Sequence, residues 1–172
     1  MSSASRWASV CAVAVSACTP ALDWREVRPE GVRATALFPC KPQHHRRSVT
    51  VREAALPMQL VACSAAGRSF GVAYVDVASS SEVDAALVAM AASANANLTQ
   101  ADIKSSPLSI PGMTPNAKAA LISSRGVAST GAQVQLDVGV FAKGLRVYQA
   151  TAFGANLERD VADTFFSGIR LQ

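Results

Sequence analysis

Two kinds of side chain in this sequence could do chemistry, and both are few. The first is the tract His44-His45-Arg46-Arg47, which holds the only two histidines of the chain. Imidazoles can ligate a metal, and together with guanidinium groups they can hold an anionic headgroup or an acidic protein surface. Adjacent residues on a strand point to opposite faces, so His44 and His45 make a poor chelate. No further histidine completes a set, and no metal is expected. The tract reads as a solvated basic segment and as the candidate contact to a partner or a headgroup. The second kind is the cysteines, Cys11, Cys18, Cys40 and Cys63. A nucleophilic thiolate or serine needs a base and an orienting group within reach, whereas both histidines sit in one polar tract.

Other catalytic signatures are missing. There is no Gly-x-Ser-x-Gly elbow. Neither "GRSFG" nor "RGVASTG" opens a helix with Lys-Ser/Thr, as a phosphate-binding loop does. Asp160 and Asp163 stand three apart on a helical stretch with Glu158 nearby, a spacing that suits a solvated helix face better than a cation site. No catalytic residue, cofactor or enzymatic activity is expected.

Cys18 marks a boundary. Before it, "MSSASRW" carries one basic residue and "ASVCAVAVSA" carries no charge. That uncharged run is about half the length a bilayer-crossing helix needs, and it suits the apolar core of an export signal. Val15-Ser16-Ala17-Cys18 resembles the lipobox of bacterial lipoproteins: an aliphatic residue, two small residues, then cysteine. The resemblance implies cleavage before Cys18, a diacylglyceryl thioether on its sulfur, and a membrane anchor. Several acyl chains at ~0.8 kcal/mol per buried CH₂ hold a protein far more firmly than one. Thr19 after the cysteine favours the outer membrane, by analogy with enterobacterial sorting. Signal removal discards Cys11 and lipidation consumes Cys18. That leaves Cys40 and Cys63 in a compartment that permits disulfides, either bridged or as two buried thiols. We expect the bridge.

The composition suits a folded core. Half of the 172 residues are hydrophobic and 16% are charged, below the usual quarter. The net charge is +4, or +3 without Arg6, too little to imply nucleic-acid binding.

These groups must be positioned by one domain, expected over residues 33–172 after a signal (1–17) and a lipidated tether (18–32). "ATALF" alternates and is stopped by Pro39 and Pro42. "QHHRRSVTV" reads as an exposed strand or strand-loop, with Val49 and Val51 on one side. "PMQLVACSA" and "RSFGVAYVDV" follow as strands around a turn at 65–68. Ser79 and Glu82 make a capping box. Val83, Leu87, Met90, Ala94 and Leu98 then predict a helix over 80–98. "SSPLSIPGMTP" reads as a Pro-rich bend whose loop, 107–116, is a second candidate contact. Met113 there is expected to tuck back onto the sheet, and Trp24 to anchor the tether. Three strands follow from Ala117 as a meander, with Gly144 in a three-residue hairpin. A last helix is expected to be capped by Asn156 and stopped by Gly168.

In order, "ALFPCKP", "SFGVAYVDV" before the long helix, "RVYQATAFG" and the terminal "TFFSGIRL" resemble the PsbP-like α/β/α sandwich over residues 24–172. The resemblance implies an α+β fold with a central antiparallel sheet flanked by helices. It implies no shared catalytic residue, and functions in protein binding and assembly. The expectation is a lipid-anchored, periplasm-facing envelope protein that binds an unknown envelope partner. The alternative is a carrier of an apolar small molecule or lipid between the Ala-rich helix and the sheet.

Overall fold

The computed structural model describes residues 21–172. Cys18, with the signal and lipobox residues before it, lies outside the described residues. In chain order the elements are β1 (Arg25–Val27), β2 (Ala34–Phe38), β3 (Gln43–Val51), β4 (Ala54–Ala65) and β5 (Arg68–Asp76). A 3-10 turn (Ser80–Glu82) leads into α1 (Val83–Asn95), followed by β6 (Leu98–Pro107), β7 (Ala120–Ala128), β8 (Gln133–Lys143) and β9 (Arg146–Gly154). The chain closes with α2 (Arg159–Ser167) and β10 (Arg170–Leu171). The fold is α+β. Seven strands form one antiparallel sheet in the order β3-β4-β5-β9-β8-β7-β6, and β1-β2-β10 form a small second sheet.

Strand alternation sorts the core into two layers. Phe70 and Val72 of β5, Phe141 of β8 and Tyr148, Ala150 and Ala152 of β9 face one way, onto Phe38, Phe165, Phe166 and Ile169 of the small sheet and α2 region. Ala73 and Val75, Leu136, Val138 and Val140, and Val147 face the other way, under Ala86, Leu87 and Met90 of α1.

Several boundaries differ from the sequence reading. The helix stops at Asn95, not 98, and Leu98 begins β6 by pairing with Ala128. Asn95 fastens the helix end. Its Oδ1 accepts from the Ser124 hydroxyl at 2.7 Å and its amide donates to Ala91 O, which stitches α1 to β7. The capping box does not form: the Glu82 carboxylate accepts from the Ala78 N–H and not from that of Ser79, and Ser79 makes no side-chain cap. The Gly144 turn has two residues, since Lys143 pairs with Arg146, and Gly144 sits at φ +58°. Asn156 caps nothing, because α2 begins after Glu158. Gly168 ends α2 with a negative φ, so left-handed freedom is not its role. A Cβ there would lie 2.6 Å from Leu37 Cγ, and glycine is needed for the close approach of β2.

The segment read as a tether carries structure as well. β1 pairs with β2, Val32 is buried, and the Trp24 ring meets Phe70 edge-on at 5.8 Å. Arg146 fastens the loop that follows: it forms a two-pronged contact to Asp76 (2.6 and 2.7 Å), donates to Gly31 O, and lies 3.9 Å above the Tyr74 ring. The hydrogen bonds it donates to Asp76 hold the Arg146 guanidinium above its ordinary pKa.

Candidate functional site

The basic tract lies on β3, an outer strand of the large sheet. Arg47 sits opposite Met58, Arg46 opposite Gln59, His45 opposite Leu60 and His44 opposite Val61. Gln43 through Ser48 are all exposed, and only Val49 and Val51 turn into the core under α1. The local cause is the pattern itself: two β-branched residues at the turn end of the hairpin have a helix to pack on, and the polar residues beyond them do not. His44 and Arg46 share one face of the strand, and His45 and Arg47 the other. Among the described residues neither Arg46 nor Arg47 forms an ion pair with a carboxylate. With Lys41 and Arg52 they make a basic margin in which Glu53 is the only acid between residues 40 and 60.

The base of this hairpin is fixed. Cys40 and Cys63 are joined by a disulfide across 23 residues of sequence. Cys63 packs against the α2-side core, so the bridge ties the chain leaving β2 to β4, one strand in from the margin. Closing a loop of that length stabilises the fold by roughly 3 kcal/mol in the chain-entropy account.

The second candidate contact is tied down. In the 107–116 segment Ile110 is buried, and Leu108 and Met113 pack on the α2-side core. Pro111 O accepts from the Leu171 N–H at 2.9 Å, and Thr114 bonds both Ala142 O and the Gly144 N–H. A side chain at Gly112 would strike Leu171 O at 2.5 Å. This loop serves the core more than it faces a partner, and Met113 tucks inward as expected.

One concavity was not foreseen. A groove of about 710 Å³ runs over β6, β7 and β8 toward the start of α2, and Lys104, Arg125, Asp137 and Glu158 are among its walls. Its floor includes Gln135 and Asp137, the wetter face of β8. The sequence showed that face but not β6, which completes the groove. Acids and bases are balanced along it, and Glu158 is already engaged by Arg68, whose hydrogen bond lowers the carboxyl pKa. Such a lining selects no charge. Asp160 and Asp163 are exposed on α2, as a solvated helix face would have them. Among the described residues no group of three or more His, Cys, Asp or Glu comes together, and no helix is long and apolar enough to cross a membrane.

Of the sites read from the sequence, then, the structure joins Cys40 to Cys63 and sets His44 through Arg47 in one exposed row. Compared with protein-family models and with curated proteins, the chain matches none.

Proposed function

We propose that this chain is a non-catalytic binding or assembly protein of the bacterial cell envelope, acylated at Cys18, facing the periplasm and, on the Thr19 argument, held at the outer membrane. We further propose that its fold is of the PsbP-like sandwich type. The layering of α1 on one face and α2 with the small sheet on the other accords with that type. The Cys40–Cys63 bridge accords with an oxidising compartment.

The observation that carries the binding role is the β3 margin. Six consecutive residues stand exposed there, with their guanidinium groups free of carboxylates, on a strand braced by a disulfide one strand inward. The carrier reading has less support. Ala86, Leu87 and Met90 are completely buried against the sheet, and the groove of about 710 Å³ lies over β6, β7 and β8. The cavity of about 460 Å³ reaches only the rim of the α1–sheet interface, at Val51, Leu56 and Glu82, where Arg52 and Glu53 also line it.

Quantitative co-purification from detergent-solubilised envelopes tests the role. The full chain carrying Arg46→Glu with Arg47→Glu is expected to lose its protein partner while keeping its thermal stability. Unchanged co-purification would remove the β3 margin as the docking surface.

A further inference from the structure

The inference rests on the reading of β3 as a docking surface and says how docking occurs. β3 has β4 on one side and, among the described residues, no strand on the other. Its hairpin with β4 closes through the two residues Arg52 and Glu53, so the closing pair Val51–Ala54 exchanges both backbone hydrogen bonds. Alternation along an antiparallel ladder assigns the rest. Val51, Val49, Arg47 and His45 bond inward to β4. Thr50, Ser48, Arg46 and His44 turn their N–H and C=O groups outward. Pro57 supports this phase: it lies opposite Ser48, at a pair that exchanges no bonds, where its missing N–H takes nothing from the β3–β4 ladder.

We propose that β3 receives an extended acidic peptide segment of a partner as an eighth strand of the sheet, and that the segment carries two adjacent carboxylates that meet Arg46 and Arg47. Outward backbone groups on four alternate residues are the hydrogen-bonding template that strand addition uses. The charge names the occupant. Opposite charges across a strand pair attract and like charges repel, so a second copy of β3 would set Arg46 and Arg47 against their own kind. Arg46 and Arg47 project to opposite faces, so one carboxylate serves only one of them. Neighbouring carboxylates on an extended segment also alternate faces, and therefore serve both.

The test titrates the full chain with a fluorescein-labelled nine-residue peptide of Thr, Val and Gln carrying a central Glu-Glu. The control is the same peptide with Lys-Lys. The Glu-Glu peptide binds, the Lys-Lys peptide does not, and binding weakens with added salt. On binding, the Arg46, Ser48 and Thr50 amides slow in hydrogen exchange. Ser48→Pro removes an outward N–H and no bond to β4, and lowers affinity by roughly tenfold, the upper range for one hydrogen bond. If neither peptide binds, or both bind equally, the proposal is overturned. If the Glu-Glu peptide binds without slowing the outward amides, or Ser48→Pro binds as the native chain does, strand addition fails. Loss of that binding in Arg46→Glu with Arg47→Glu would then leave the charged docking surface standing.

Discussion

The Tyr148 hydroxyl is buried and donates to Val32 O at 3.0 Å, which ties β9 to the loop before β2. Tyr148→Phe is expected to lower stability by about 1 kcal/mol, the usual worth of such a bond, measured by urea unfolding at neutral pH. Burial also raises the Tyr148 pKa above its ordinary value of 10.0. The fold thus favours the neutral phenol, a contribution fully present below pH 10 and lost as pH rises through the higher folded value. The native chain should weaken on that alkaline limb more steeply than Tyr148→Phe, and parallel limbs would exclude the residue as the cause. Glu158 has the opposite sign. The Arg68 hydrogen bond lowers its pKa from 4.5, so its contribution is present above that value and fades as pH falls through the folded one. Gly168 tests packing at the same scale. Gly168→Ala drives a methyl into Leu37 and is expected to destabilise by roughly 1–3 kcal/mol, with partial recovery when Leu37→Ala is added. The sequence offered Gly168 as a helix stop. Its steric reason was hidden, because the 130 residues between Leu37 and Gly168 give no local signal that the two will touch.

Elements were legible where one face is dry. β8 shows strict alternation, β2 alternates over five residues, β5 and β9 are apolar runs buried on both faces, and α1 shows a stripe at helical spacing, so their existence could be read. β6 could not. It is the other outer strand of the sheet, its exposed residues run nearly unbroken from Asp102 to Pro107, and a strand wet on both faces has no alternation to detect. β1 and β10 are too short to carry a pattern at all. The two outer strands therefore differ in what the sequence revealed, and β3 was visible because Val49 and Val51 dip under α1. The β3 phase makes a direct prediction for hydrogen exchange in the free protein. The amides of His45, Arg47, Val49 and Val51 should be protected, and those of His44, Arg46, Ser48 and Thr50 should exchange quickly. The reverse pattern would place the hairpin one residue out of register. The bridge behind this hairpin is expected to matter as much: Cys40→Ala with Cys63→Ala should cost about 2–5 kcal/mol in reversible unfolding. Two reactive thiols in the denatured native protein without reductant would show that no bridge forms.

At the scale of the whole molecule, a braced sheet offers one basic margin, while the groove near α2 is balanced in charge and the 107–116 loop is bound into the core. The proposed acylation of Cys18 is tested at this scale too. Cys18→Ser should move the protein from the membrane to the soluble fraction, read by fractionation and intact mass. The central claim is that the β3 margin is where the partner sits. The most direct measurement places a photocrosslinking residue at Ser48 of the full chain in living cells, and compares it with Val88 on α1 and Ile103 on β6, both more than half exposed. The account predicts one discrete crosslinked protein from position 48 and none from 88 or 103. Crosslinking of the same protein from 88 or 103, with none from 48, would contradict it.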